Sequence, residues 1–218
     1  SSYAPGFALD RPVVSRVVGR VIESRNERFA EGDHVWGFMD WALRSVAPRG
    51  EGLNLIDPAL GRPSLAISAL GMPGLTAWTG AIELGRPRPG DTVYISSAAG
   101  TIGQLAGQFA KRAGARVVGS AGSDDKVAYV LEHCAYDAAF NYKTRDIDDA
   151  LHETCPDGID VYLDNVGGAT LEAALAERSK VRAVAKDGAP ATKARGERTP
   201  RRERAEQAAA RPSASHAE

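Results

Sequence analysis

The sequence has few of the residues that cross-link small domains or bind metals. Its 218 residues include four histidines and only two cysteines, Cys134 and Cys155. The cysteines form no C-x-x-C motif, which argues against a disulfide framework and against a cysteine-rich zinc site. Two free thiols fit a reducing compartment, so we expect a cytoplasmic protein.

Long apolar runs and a strong charge imbalance are also missing. No segment has the length of apolar residues that a transmembrane helix needs, and no charged-then-apolar signal sequence opens the chain. The formal net charge is −1, which predicts no overall attraction to nucleic acid or to a membrane. The first residue is Ser1 rather than Met, so we expect the chain to begin inside a longer protein.

The best-defined pattern runs from residue 91 to residue 125. Residues 92–97 are apolar and β-branched, which predicts a buried strand. Residues 102–113 carry apolar side chains on one helical face, and residues 116–120 predict a second strand. A strand, a tight turn, a helix and a strand form the βαβ unit typical of dinucleotide-binding domains.

The turn of this unit carries a variant glycine motif. Ala98, Gly100 and Gly103 occupy the three positions of G-x-G-x-x-G, with alanine replacing the first glycine. A pyrophosphate can approach the positive end of a helix only where side chains are small or absent. Alternatively, the glycines serve only the packing of the βαβ unit, and the motif alone does not decide.

The segments on either side predict two different kinds of structure. Before the βαβ unit, short strands are predicted at residues 12–24, 33–38, 41–46 and 53–56, a spacing that favours a small β-barrel or sandwich. Helices are predicted at residues 65–70 and 75–84, with a break at 71–74. After the unit, residues 137–141 and 159–163 predict a third and a fourth strand, with a helix at 147–153 between them.

Five strings resemble the zinc-independent branch of the medium-chain dehydrogenase/reductase family, in particular its prostaglandin and alkenal double-bond reductases. They are LGMPGLTAW at 70–78, SSAAGTIG at 96–103, GSDDK at 122–126, NYK at 141–143 and DNVGG at 164–168. The resemblance covers about residues 3–176. It implies a GroES-like β domain, a Rossmann domain, and NADPH-dependent reduction of carbon–carbon double bonds next to carbonyl groups.

The resemblance also implies a cofactor site. The matching residues are Met72, Thr76, Ala99, Gly100, Thr101, Ile102, Gly103, Gly122, Ser123, Lys126, Tyr142 and Asn165. The family's counterparts of Lys126 and Tyr142 contact the 2′-phosphate of NADP, and those of Thr76 and Asn165 lie near the nicotinamide. No residue is identified as a proton donor, so the catalytic residues stay unassigned.

The residues after the second strand favour NADP independently of the family. An NAD site usually carries an acidic residue about 20 positions after the glycine motif, whereas residues 104–123 contain neither Asp nor Glu. Lys126 lies in the first turn of the next predicted helix, where a cation opposes the helix dipole. A 2′-phosphate would explain it, and an ordinary solvated lysine is the alternative.

Zinc ligands are missing from the positions where the metal-dependent branch has them. That branch carries Gly-His-Glu before the glycine equivalent to Gly19, whereas this chain has Val14, Ser15 and Arg16 there. The first cysteine is Cys134, so no four-cysteine cluster could hold a structural zinc. We therefore expect no metal.

The pattern changes after residue 176. From Glu177 onward there are eleven basic and six acidic residues, and Val181 and Val184 are the only large apolar ones. This composition predicts a disordered basic tail over residues 177–218, without a fifth strand. The fourth strand would then be an exposed edge, so we expect a marginally folded chain with weak activity.

The expected architecture is therefore α/β. It comprises a partial GroES-like β domain over residues 1–72 and an incomplete Rossmann NADP-binding domain, a truncated doubly wound parallel sheet, over residues 73–176. The expected substrate is a small α,β-unsaturated aldehyde or ketone. Quinone reduction and non-catalytic dinucleotide binding are the alternatives. We expect no nucleic-acid partner and no membrane partner, although residues 198–204 could form a basic arm, and we expect a homodimer in the complete protein.

Overall fold

The computed structural model describes residues 9–185, and the side-chain surroundings of residues 9–177. Two sheets organise this part of the chain: a three-stranded antiparallel sheet and a five-stranded parallel sheet. None of the described helices combines the length and the hydropathy needed to cross a bilayer.

The antiparallel sheet has the order β1-β2-β3. Its strands are β1 (Val14–Arg20), β2 (His34–Asp40) and β3 (Asn54–Leu55). The turn before β2 passes through Gly32 at φ 94°, a left-handed conformation that glycine adopts without steric cost. These strands confirm three of the four predicted in the first segment.

The strand predicted at residues 41–46 does not form. β2 already pairs with β1 along one edge and with β3 along the other, so the chain leaves the sheet after Asp40. Trp41, Leu43 and Val46 are 76%, 105% and 91% exposed, which shows that their apolar character does not reflect burial among the described residues. Within residues 9–185 the first sheet is open, and it closes neither a barrel nor a sandwich.

The helical stretch between the sheets begins differently from the prediction. Short 3₁₀ turns span Pro48–Gly50, Pro58–Leu60 and Pro63–Ile67. Helix α1 (Met72–Trp78) then starts inside the predicted break and continues as a π-helical segment, Thr79–Leu84. The predicted break was wrong because a proline in the first turn of a helix, here Pro73, loses no intrahelical hydrogen bond.

The parallel sheet has the order β6-β5-β4-β7-β8. Its elements follow in the chain as β4 (Thr92–Ile95), α2 (Thr101–Arg112), β5 (Arg116–Ala121), α3 (Asp124–His133), β6 (Ala138–Asn141), α4 (Ile147–Thr154), β7 (Ile159–Asp164), α5 (Gly168–Ala176) and β8 (Arg178–Ala185). Counted from β4, this is the strand order 3-2-1-4-5 of a doubly wound Rossmann sheet. The fold class predicted from the sequence is confirmed.

The fifth strand of this sheet corrects the prediction that none forms. β8 pairs in parallel with β7, with Ala183 opposite Tyr162 and Val184 opposite Leu163. β7 therefore lies inside the sheet. The charged side chains of this segment gave no strand pattern in the sequence. Backbone hydrogen bonds to a neighbouring strand hold it in the sheet, and these bonds do not depend on its composition. The rest of the predicted tail, residues 186–218, lies outside the described residues.

The core lies on both faces of the parallel sheet. Along β4, Val93 and Ile95 join a cluster with α2 and α3, whereas Tyr94 joins a second cluster with α4 and α5. The alternation follows from the two-residue period of a strand. With both faces covered, the strand ends at the carboxyl edge are left to form a site.

Candidate functional site

The turn from β4 to α2 forms the centre of the site. Gly100 is the N-cap of α2, and no side chain caps the helix there. The backbone N–H of Gly100 donates to the carbonyl oxygen of Ser97 over 2.9 Å, which closes the turn. The first-turn amides of a helix have no intrahelical acceptor, so this helix start can bind an anion.

Gly103 lets α2 approach the end of β4 closely. An ideal Cβ at Gly103 would lie 2.5 Å from the carbonyl oxygen of Ser97 and 2.6 Å from that of Ala98. The phenol of Tyr136 donates to the carbonyl oxygen of Gly103 over 2.8 Å and fixes the same turn. Any side chain at position 103 would therefore push the helix start away from the strand.

The alanine that replaces the first glycine of the motif is accommodated across the sheet. Ala98 is fully buried. An ideal Cβ at Gly119 of β5 would lie 2.7 Å from the Cβ of Ala98, so the glycine in β5 provides the space that the alanine methyl group fills. The departure from G-x-G-x-x-G thus leaves the turn intact.

The second part of the site lies where β5 leads into α3. Ser123 is the N-cap of α3, and its Oγ accepts from the backbone N–H of Lys126 over 3.4 Å. Asp124 and Asp125 lie in the first turn, where acidic side chains suit the helix dipole. Lys126 lies in the same turn, as predicted from the sequence, and it is exposed.

The end of β6 lies beside the connection from β5 to α3. Tyr142 follows β6, and its backbone N–H donates to the carbonyl oxygen of Ala121 over 3.2 Å. An ideal Cβ at Gly122 would lie 3.0 Å from Tyr142 Oη, so the hydroxyl sits directly over the glycine backbone. Gly122 and Tyr142, which are 20 positions apart in the chain, are therefore neighbours in the fold.

The third part of the site is a hydrogen-bond network at the end of β7. The backbone N–H of Asn165 donates to Ser96 Oγ over 2.8 Å, and Asn165 Nδ2 donates to the carbonyl oxygen of Ser96 over 3.0 Å. Ser96 Oγ donates in turn to Asp164 Oδ1 over 3.2 Å. The ends of β4 and β7 are thereby tied together around Asn165.

Asp164 is the hub of this network. Its Oδ1 also accepts from Tyr162 Oη over 2.7 Å and from the backbone amides of Val166 and Gly167 over 3.0 and 2.8 Å. Burial alone would raise the pKa of Asp164, but these hydrogen bonds outweigh it and hold the pKa below its usual value. Burial likewise raises the pKa of the Tyr162 phenol, which therefore stays protonated and donates.

Met72 and Thr76 lie on α1, which comes before the strands of the parallel sheet in the chain. The π-helical continuation of α1 packs on β7, since an ideal Cβ at Gly80 would lie 2.8 Å from Leu163 Cδ1. Met72 is about half exposed and Thr76 is partly buried. The π-helical continuation of α1 therefore approaches β7, the strand that Asn165 follows.

The predicted site residues that follow β4, β5, β6 and β7 lie at one edge of the sheet, because these strands are parallel and end on the same side; Met72 and Thr76 lie on α1 instead. The roles of these residues in cofactor binding stay predictions. Ser96, Asp164 and Lys143 were not predicted as site residues, although all three lie in the strings that carry the resemblance. Position beside a strand end was the signal that could have found them.

Ser15, which the resemblance places where the metal-dependent branch carries its histidine, lies on β1. The next residue, Arg16, places its guanidinium 5.7 Å from the ring centre of Trp36 and 5.1 Å from that of Phe38. Over residues 9–185 no three His, Cys, Asp or Glu side chains come together as metal ligands. The absence of a metal stays a prediction.

Comparison with known proteins agrees with this geometry. Residues 1–56 match a family described as the N-terminal domain of oxidoreductase, and residues 101–186 match a family described as zinc-binding dehydrogenase. The chain is 43% identical over 175 residues to the 2-alkenal reductase (NADP(+)-dependent) of Nicotiana tabacum, covering 80% of this chain and 51% of that protein. It is 45% identical over 155 residues to prostaglandin reductase 1 of Mus musculus, covering 69% and 46%.

A solved structure shares the fold. The crystal structure of CurA from Vibrio vulnificus in complex with NADPH superposes with a TM-score of 0.75 at 27% identity, over 95% of this chain and 62% of that one. The chain spans about half the length of the curated relatives it matches. It belongs to the medium-chain dehydrogenase/reductase family, in the branch of the prostaglandin and alkenal reductases.

Proposed function

We propose that this chain binds NADPH and forms the cofactor-binding part of a reductase that reduces the carbon–carbon double bond of an α,β-unsaturated aldehyde or ketone. The names of the two relatives, a 2-alkenal reductase and a prostaglandin reductase, support the substrate class, and the CurA complex supports the cofactor. The observation that carries the proposal is the uncapped start of α2 at Gly100, which adjoins the ends of β5 and β7.

The residues of the turn fit a pyrophosphate. The backbone amides of Thr101, Ile102 and Gly103 form the first turn of α2, at the positive end of the helix dipole. Ala99 and Gly100 precede them and carry a methyl group and a hydrogen as side chains. The turn thus offers several donors and little steric hindrance to a doubly charged group.

The residues at the end of β5 fit the adenosine ribose and its 2′-phosphate. Gly122 and Ser123 leave the backbone accessible, Tyr142 offers a phenol over Gly122, and Lys126 offers an ammonium group. NADH has a hydroxyl where NADPH has this phosphate. Lys126 and Tyr142 therefore favour NADPH through a charge and a donor that NADH would not use.

Asn165 fits the nicotinamide end. Its Nδ2 must face the carbonyl oxygen of Ser96, because the opposite amide orientation would bring two acceptors together at 3.0 Å. Asn165 Oδ1 accepts no hydrogen bond from residues 9–177 and is left as an acceptor for the cofactor's carboxamide N–H. Thr76 and Met72 on α1 complete this end of the proposed site.

When bound, NADPH would supply the hydride for the β-carbon of the substrate, and the proton for the α-carbon would have to come from a donor other than the residues assigned here. The electron pair of the double bond passes transiently to the carbonyl oxygen, and a fixed donor or dipole would stabilise that charge. The residues described here are assigned to holding the hydride donor. Asn165 and the Ser96–Asp164 network fix the position of the cofactor ring rather than supplying the proton.

The test is a titration of the purified chain with NADPH and with NADH, followed by NADPH oxidation assays with a 2-alkenal and with a quinone. NADPH binding with alkenal turnover supports the proposal. Turnover of the quinone alone would assign a quinone reductase, and NADPH binding without turnover of either substrate would assign a non-catalytic dinucleotide-binding module. Failure to bind NADPH would refute both the proposed cofactor and the reductase activity that depends on it.

A further inference from the structure

A second lysine approaches the proposed 2′-phosphate position. An ideal Cβ at Gly122 would lie 3.4 Å from Cε of Lys143, besides lying 3.0 Å from Tyr142 Oη. The aliphatic chain of Lys143 and the ring of Tyr142 thus both lie against the Gly122 backbone, and a glycine at this position leaves room for them. Lys143 is exposed, so its ammonium group reaches solvent beside the start of α3.

The backbone of Lys143 is held in this place by Asn141. The Asn141 side chain is buried, and its Nδ2 donates to Asp124 Oδ1 in the first turn of α3 over 2.8 Å. Its Oδ1 accepts from the backbone N–H of Lys143 over 3.1 Å. A single buried amide therefore connects the turn that carries Lys143 to the helix that carries Lys126.

Both ammonium groups are available to a ligand. Among the residues whose side chains the structure describes, neither Lys126 nor Lys143 forms an ion pair or a side-chain hydrogen bond. The nearby Asp124 is engaged by Asn141. A phosphate monoester carries a charge of about −1.5 to −2 at neutral pH, so a single lysine neutralises only part of it.

We propose that Lys143 binds the 2′-phosphate of NADPH together with Lys126 and the Tyr142 hydroxyl, and that it contributes to the preference for NADPH over NADH. This inference rests on the proposed function and adds a specificity-determining residue to the same site. Lys126 lies on α3 and Lys143 follows β6, so the two cations meet the phosphate from two elements.

The test uses two ligands that contain only the adenosine half of the cofactor: adenosine 2′,5′-bisphosphate and adenosine 5′-monophosphate. Calorimetric titration of the whole chain with each ligand isolates the 2′-phosphate. Lys143→Ala should weaken bisphosphate binding about five- to twentyfold, because a charged hydrogen bond is lost at an exposed site. It should leave monophosphate binding unchanged, and Lys143→Arg should retain most of the bisphosphate affinity.

Arg112→Ala is the matched control, since it removes the same charge from an exposed residue at the far end of α2. It should change neither affinity. The slope of bisphosphate binding against salt concentration should fall for Lys143→Ala and stay unchanged for Arg112→Ala. Thermal unfolding of both variants should match that of the unmodified chain, because both side chains are exposed.

The outcomes separate this inference from the proposed function. If the unmodified chain prefers the bisphosphate and Lys143→Ala keeps that preference, the role of Lys143 is refuted and the proposed cofactor stands. An equal loss for both ligands, or an equal effect of Arg112→Ala, refutes the role as well. If the unmodified chain shows no preference for the bisphosphate, both the inference and the NADPH proposal are refuted.

Discussion

Lys126 gives the sharpest residue-scale prediction, because its charge is exposed in the first turn of α3 and is unpaired among the described side chains. Lys126→Ala should weaken NADPH binding by about 1.5–3 kcal/mol, the value of a hydrogen bond to a charged group. NADH binding should barely change, since NADH lacks the phosphate. Fluorescence titration with both cofactors measures the difference. An equal loss for the two cofactors would contradict the assigned role.

Asp137 gives a residue-scale prediction about pH. Its Oδ2 accepts from the backbone N–H of Val117 over 2.7 Å, and its Oδ1 pairs with Lys111. Burial by itself raises the pKa of Asp137, but the Lys111 and Val117 hydrogen bonds outweigh it and lower the pKa. A lowered folded-state pKa means that the stabilisation is fully present above the unfolded-state pKa, about 3.9, and is lost as pH falls through the folded-state pKa.

Asp137→Asn should therefore lower the free energy of unfolding at pH 7 by about 1 kcal/mol, a small value because the pair is partly exposed. The difference from the unmodified chain should shrink as the pH falls below about 4. Urea unfolding at several pH values measures it. Asp157→Asn, in an exposed turn, is the control and should show no such trend. A pH-independent difference would assign the effect of Asp137 to packing instead of charge.

At the scale of elements, the contact between α2 and β4 depends on the missing side chain of Gly103. The atoms that a Cβ would meet are carbonyl oxygens of Ser97 and Ala98, which cannot rotate away as a side chain can. Gly103→Ala should therefore cost about 1–3 kcal/mol of stability, the usual range for overpacking. It should also weaken NADPH binding, because the start of α2 moves.

Gly19→Ala provides the comparison for this experiment. Gly19 lies in β1, and an ideal Cβ there meets no atom within 4 Å, so this change should be neutral or slightly stabilising. Thermal unfolding and NADPH titration of the two variants, measured side by side, separate steric crowding from the general effect of replacing glycine. Similar stabilities for the two variants would show that the turn tolerates a shift of α2.

At the scale of the whole molecule, the chain should contain no stoichiometric zinc, although one matching family is described as zinc-binding dehydrogenase. Ser15 and Arg16 stand where ligands would be needed, and neither is a usual zinc ligand. Elemental analysis of the purified protein should give far less than one zinc per chain. Chelators should leave its unfolding temperature unchanged. One zinc per chain, removed together with stability by a chelator, would overturn this prediction.

The exposed apolar residues after β2 predict self-association of the chain. Trp41, Leu43 and Val46 lie within six positions of the chain and are largely solvent-exposed among the described residues, and exposed apolar surface promotes association. The expected instability of β7 as an edge strand no longer supports this prediction, because β8 covers it. Light scattering should show association that increases with concentration and that decreases in Leu43→Ser/Val46→Ser. Leu131→Ser on α3 is the control, and an equal decrease there would contradict the role of the segment.

The local sequence pattern was sufficient to predict helices and strands whose structure depends on residues a few positions apart. The apolar and β-branched run at residues 92–97 predicted a buried strand, and the glycine turn before α2 predicted the helix start that forms the centre of the site. The start of α3 at Asp124, after the Ser123 cap, was predictable for the same reason. In each case the interactions that determine the structure join residues a few positions apart.

Tertiary structure decided what depends on partners distant in the sequence. Residues 41–46 read as a strand, yet both edges of β2 were already paired, while Arg178–Ala185 lacked a strand pattern and formed one along β7. Lys143 is part of the NYK string, but its position beside Gly122 depends on the hydrogen bond that Asn141 accepts from its backbone and on the missing side chain of Gly122. The amino-acid sequence by itself determined the βαβ units and the order of the motifs. Only the fold determined which strand edges were free and which side chains met, because those contacts join residues that no local periodicity relates.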